Sequence, residues 1–146
     1  MVSEEERGGQ AAIVLTQQDI RELQLAKAAI YTGCSILMER RGVSARDIER
    51  IYLAGAFGSY IKPENATRVG VIPEIEPGRV VPVGNAALSG AKMALLSTEM
   101  RDEAAEISKN LTYVELGAEP SFNDELVSAT FFPHKDLDLF PSARGD

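Results

Sequence analysis

Only one cysteine, Cys34, and one histidine, His134, occur among the 146 residues. No disulfide can close within the chain, which makes a reducing, cytoplasmic setting the expectation. The same scarcity excludes a four-cysteine zinc site or an iron-sulfur cluster built from one copy. Positive charge is also short: 15 Lys and Arg stand against 22 Asp and Glu, a formal net charge of −7. The resulting field repels phosphate backbones and anionic lipid, so nucleic acid and membrane surfaces are not expected as partners. No apolar run approaches the ~18 uncharged residues that mark a membrane helix. The opening "MVSEEERGG" is acidic where a signal peptide would be basic. No serine-histidine or cysteine-histidine constellation stands out.

What is present suffices for one ordinary core, since 45% of residues are hydrophobic and 25% charged. Residues 1–9 read as a flexible leader, 10–134 as one folded unit and 135–146 as a mobile tail. Within the unit, "QAAIVL" (10–15) reads as a strand. Thr16 with Asp19 forms a variant capping box for a helix over 17–41, about 37 Å long, closed by Gly42. Its first half carries an apolar stripe through Ile20, Leu23 and Ile30. Its second half is uncharged from 28 to 38 and so is expected to be buried on most sides.

Ser44 and Asp47 repeat the capping pattern before "IYLA", read as an inner strand covered on both faces. Pro63 suits the first turn of a short helix. "RVVPVG" reads as a second strand, with Pro82 at an edge or near the end because it cannot donate to a ladder. Asn85 caps the helix that follows, and Met100, Ala104, Ile107 and Leu111 mark one buried face of the next. "LTYVEL" reads as a last strand, followed by a short helix in "PSFNDELVSATFFP". Strands alternating with helices indicate an α/β layer structure with parallel neighbours.

Two places could carry chemistry. In Gly55-Ala56-Phe57-Gly58 and in Gly84-Asn85, an apolar strand ends in glycine and a helix follows. Backbone N–H groups at such turns, with no Cβ in the way, allow close approach by a phosphate or a nucleotide edge. The carboxyl ends of strands are where open α/β sheets hold ligands. Tight packing alone also calls for glycine there, and neither stretch matches a dinucleotide fingerprint or a P-loop. Phe57 could stack on a base or plug the core. His134 could serve a metal or a reaction, or be structural. Cys34 suits a buried inert thiol, and "NAT" from Asn65 is a formal glycosylation acceptor without other signs of secretion.

Three stretches, "LTQQDIRELQLAKAAIYTGCSILMERRGVSARDIERIYLAGAFGSYIKPENATRVGVIP", "VGNAALSGAKMALLS" and "YVELGAEPSFNDELVSATFFP", together resemble the C-terminal part of the reductive activators of corrinoid proteins. That resemblance covers about residues 15 to 133. It implies the C-terminal subdomain of an actin-like, ribonuclease H-like ATPase fold, related to acetate and sugar kinases. It further implies that ATP with magnesium drives reduction of a cobalt(II) corrinoid protein to cobalt(I). The iron-sulfur domain and the first ATPase subdomain would lie upstream of Met1, leaving this chain catalytically incomplete. The adenosine loop falls on Gly55, Ala56, Phe57 and Gly58, with Gly84 and Asn85 as neighbours. No D-x-G stretch is present for the acidic phosphate loop of such ATPases, so no catalytic residue carries over. A corrinoid protein is the implied partner. The competing expectation is a non-enzymatic docking or dimerisation module of the same fold, with an exposed apolar edge favouring a homodimer.

Overall fold

A computed structural model of the chain describes residues 14–144. The leader expected over 1–9 and residues 10–13 of the first expected strand lie outside the described residues, and Val14 and Leu15 carry no regular structure. The order of elements is α1 (Gln17–Arg41), β1 (Ile51–Ala54), α2 (Gly55–Tyr60), α3 (Pro63–Val69), β2 (Val80–Gly84), α4 (Ala86–Leu96), α5 (Thr98–Lys109) and α6 (Phe122–Ala129), with short 3-10 turns before β1, before β2, before α6 and after it.

The long helix has the predicted limits. Thr16 Oγ1 accepts from the Asp19 amide at 3.2 Å while the Asp19 carboxylate accepts from the Thr16 amide at 2.7 Å. Gly42 closes the helix in the left-handed region at φ 64°. These bonds to Thr16 hold the Asp19 carboxyl below its usual range. Ser44 and Asp47 form the second box, and Pro63 opens α3 as expected.

The buried face of α1 is not the one expected. Leu23 and Ile30 are 47% and 43% exposed, whereas Lys27, Ala28, Tyr31, Thr32 and Ile36 are buried. The reason is that α6 packs along the second face. The α5 face is exposed too, with Ile107 at 57% and Leu111 at 74%, because α5 packs chiefly against α4. Residues 111–115 form no strand: β1 and β2 are the only strands among the described residues, and they pair with each other. A β-prone segment without a ladder partner stays irregular.

β1 and β2 run parallel, with Ile51 opposite Val80 and Leu53 opposite Pro82. β1 is not covered on both faces: Ile51 and Leu53 pack on the core while Tyr52 is 59% exposed. That core holds Ala66, Val71, Ile72, Ile75 and Val80. A second core joins Ala28 and Tyr31 of α1, Ala129 of α6, and Phe140.

Phe140 belongs to the stretch expected as a mobile tail, yet it is 1% exposed. The chain after α6 is a strap that touches both cores. Gln24 donates to the Thr130 carbonyl at 2.9 Å and Lys27 Nζ to the Pro133 carbonyl at 2.6 Å. Further along, the Ser142 hydroxyl donates to Glu74 at 3.0 Å. Packing of one aromatic ring and these bonds over-rides the polar composition from which mobility was expected.

Lys27 is 1% exposed, and burial pushes its ammonium down to about 8 from the ordinary 10.5. Because the folded value is the lower one, the unfolded chain binds more protons from about pH 8 upward. Stability therefore rises with pH as the buried charge is relieved. Burial raises the Cys34 thiol and, with neighbouring charges, the Tyr31 hydroxyl. The thiol opposes the rise as pH approaches the ordinary cysteine range of about 8.5, and the hydroxyl only at higher pH. From pH 8 to 9 the Lys27 contribution is the larger, so urea midpoints of the native chain should increase there. Lys27→Met should abolish that slope while leaving the fold intact. An unchanged slope in the variant would remove Lys27 as its source.

Candidate functional site

The two glycine turns meet at one end of the sheet. Pro82 has no N–H for the ladder, and the register slips just after it: Leu53 faces Pro82, but Ala54 faces Gly84. This one-residue bulge sets the ends of both strands level. Gly55 then starts α2, and Asn85 caps α4.

Both glycines lie where a side chain is disfavoured. Gly55 has φ 83° and Gly84 φ 63°. Beyond its own turn, a Cβ built on either one meets no atom of the described residues within 4 Å. The backbone at the two strand ends thus borders open space, and it is the left-handed turn that calls for glycine at these positions.

Gly58 differs. It is buried, and a Cβ built there would sit 2.7 Å from the carbonyl carbon and oxygen of Leu53 and 2.9 Å from its Cβ. Ala56 and Phe57 lie inside α2. The Phe57 side chain, expected as a pocket wall or a core plug, lies outside what the structure describes. Asn85 uses its side-chain carbonyl to accept from the Leu88 amide at 2.9 Å, and its own carbonyl accepts from Ser89 Oγ at 3.1 Å. Its direct role is to start α4, whose first-turn amides have no acceptors within the helix.

The structure therefore brings Gly55, Gly84 and Asn85 to one end of the sheet, whereas Gly58 is packed against the backbone of β1. No carboxylate set accompanies them: among the described residues no group of three or more His, Cys, Asp or Glu could hold a metal ion. A cavity of about 360 Å³ lies elsewhere, between α3 and the strap, and mixes Glu64 and Glu74 with Arg68. None of the glycine-turn residues lines it.

His134, left open in the sequence between a metal, a reaction and a structural role, is buried within the strap, and its burial beside Tyr31 is what sequence reasoning missed. His134 is 4% exposed, its ring centroid 5.2 Å from that of Tyr31 and 6.2 Å from that of Phe140. Its Nδ1 accepts from the Asp136 amide at 3.0 Å, and its Nε2 stands 3.7 Å from Glu125 Oε1. The i, i+4 placement of Lys27 and Tyr31 on α1 was the available signal. It was obscured because a lysine ordinarily marks the solvent side. Cys34 is partly buried and free. No helix among the described residues is long and apolar enough to cross a membrane.

Comparison with known proteins fits this arrangement. Corrinoid activation enzyme RamQ of Eubacterium limosum is 44% identical over 120 residues, covering 82% of this chain and 20% of that protein. The [Co(II) methylated amine-specific corrinoid protein] reductase of Methanosarcina barkeri is 30% identical over 114 residues, covering 77% of this chain and 21% of that protein. A solved structure, "Reductive activator for corrinoid,iron-sulfur protein", superposes with a TM-score of 0.83 at 42% identity, covering 89% of this chain and 21% of that one. The chain thus spans about a fifth of the length of each relative. The family model described as "C-terminal domain of RACo the ASKHA domain" matches residues 1–144. With paired parallel strands, glycine turns at their ends and a match over nearly its whole length, the chain belongs to the family of the RACo C-terminal ASKHA domain.

Proposed function

We propose that this domain supplies the adenosine side of the nucleotide site in an ATP-dependent reductive activator, one that returns a cobalt(II) corrinoid protein to cobalt(I). The observation that carries the reading is the pair of open, left-handed glycine turns, Gly55 and Gly84, set level on neighbouring parallel strands of an ASKHA domain. Open space over a backbone without Cβ atoms suits a flat, uncharged group such as a nucleoside. The overall charge of −7 makes this chain a poor holder of a triphosphate by itself.

ATP, when bound, supplies the free energy that makes a low-potential, one-electron reduction of cobalt feasible. The residues of this chain hold and orient the nucleoside. The expected magnesium has no set of three or more His, Cys, Asp or Glu ligands among the described residues. With one cysteine, the chain also offers no place for the iron-sulfur cluster that would deliver the electron. The corrinoid protein is the partner of the whole activator, in keeping with the names of the relatives.

Calorimetric titration of ATP into the protein at its full natural length tests this reading. Gly55→Val places a β-branched residue at φ 83° and fills the open space. It should weaken ATP binding at least tenfold, and the cobalt(I) absorbance of the corrinoid protein should then develop more slowly. Equal affinity in the variant would remove the adenosine assignment.

A second reading, a docking or dimerisation module, is favoured by the exposed apolar residues Leu95 and Leu96, at 76% and 85%. Sedimentation of the isolated chain separates the two. A dimer without nucleotide affinity supports the module, and a monomer that binds ATP opposes it.

A further inference from the structure

We propose that Gly58 is a positioning residue, which sets Gly55 against Gly84 by letting α2 rest on the backbone of β1, and does not touch the nucleotide. This rests on the nucleotide reading above and divides the four-residue break Gly55-Ala56-Phe57-Gly58 into two jobs.

The distances draw the division. Beyond its own turn, a Cβ at Gly55 or Gly84 meets nothing within 4 Å among the described residues, so these two positions border open space. A Cβ at Gly58 meets the Leu53 carbonyl carbon and oxygen, both at 2.7 Å. Those atoms belong to the strand whose register with β2 sets the two turns level. They cannot yield as the end of a flexible side chain could.

Gly58 is also buried, which leaves it no surface to offer a ligand. Any side chain there must lift α2 from the strand. α2 is only six residues long and packs on both β1 and β2. Its displacement is therefore carried to Gly55, its first residue, and alters the spacing from Gly55 to Gly84. The smallest side chain, alanine, suffices for this effect.

The test measures ATP affinity in three single variants of the full-length protein, at a temperature where all remain folded. Gly58→Ala is the probe. Phe140→Leu, in the other core, is a control that lowers thermal stability without approaching the strand ends. Gly78→Ala, where a Cβ meets nothing within 4 Å, controls for the change from glycine to alanine.

Gly58→Ala should weaken ATP binding at least tenfold and shift the amide resonances of Gly55 and Gly84. Phe140→Leu and Gly78→Ala should stay within twofold of the native affinity and leave those two resonances in place. A merely structural role for Gly58 would give Gly58→Ala and Phe140→Leu the same affinity, and that result overturns the proposal. Weakened binding with both resonances unmoved also overturns it, since Gly58 would then contact the nucleotide directly. If Gly58→Ala binds as well as the native protein, the positioning role fails while the nucleotide site stands. If the native protein binds no ATP, both fail.

Discussion

Gly70→Ala should lower the stability of this domain by roughly 4 kcal/mol or more, among the largest effects of any single substitution in it. Two causes act together. Gly70 ends α3 at φ 78°, a region that costs an L-residue about 1–2 kcal/mol. A Cβ there would also collide with the Pro133 carbonyl oxygen. That oxygen cannot retreat freely, because it accepts the bond from the buried Lys27 ammonium at 2.6 Å. Moving it would leave a buried charge without its acceptor. Gly42→Ala separates the two causes: φ is 64° there, but nothing lies within 4 Å. It should cost only the conformational part, about 1–2 kcal/mol. Urea unfolding of both variants is the measurement. Equal losses would show that the close approach to Pro133 contributes nothing.

Phe140→Ala should cost about 3–5 kcal/mol, the usual range for truncating a buried phenylalanine. The ring is 1% exposed, lies 5.5 Å from that of Tyr31 between centroids, and completes the core formed with Ala28 and Ala129. Phe131, 51% exposed on the same stretch of chain, is the matched comparison, and its truncation should change stability by less than about 0.5 kcal/mol. If the two phenylalanines behaved alike in thermal unfolding, the end of the chain would not be part of the fold. Gly70→Ala and Phe140→Ala both act on the strap, so the double variant should lose less than the sum of the two.

Local rules carried much of the reading from sequence. The caps at Thr16, Ser44 and Asn85, the stop at Gly42 and the start at Pro63 all depend on groups within a few residues, and all are where the sequence put them. The two strands that pair among the described residues were legible as well, as short apolar runs ending in glycine turns. The failures concern partners. A period of exposed and buried residues tells which face could be buried, and the neighbouring element decides which face is. For α1 the deciding element is α6, distant in sequence, and it selects the face centred on Ala28 and Tyr31 over the stripe through Leu23 and Ile30. Residues 111–115 have the composition of a strand, but a strand exists only when something pairs with it.

The candidate site shows the same limit. Two glycine turns and parallel neighbouring strands were visible in the sequence, but the register slip after Pro82 that sets the turns level was not. The difference between Gly55 and Gly58 could not be read either. It depends on which glycine faces open space and which faces a carbonyl group three-dimensionally close to it. The strap was misread because its polar and acidic residues outnumber the one ring that anchors it.

The bond from Lys27 to Pro133 joins residues 106 positions apart. It closes a loop that contains the whole sheet, since Ile51 and Val80 pair well inside it. Chain-closure entropy grows slowly with length, yet this outer closure is nearly two doublings longer than the strand pairing and costs ~1 kcal/mol more to make. Contacts around the sheet are the more local of the two. The glycine turns thus belong to the inner closure of the domain, and the strap makes the outer one that encloses it.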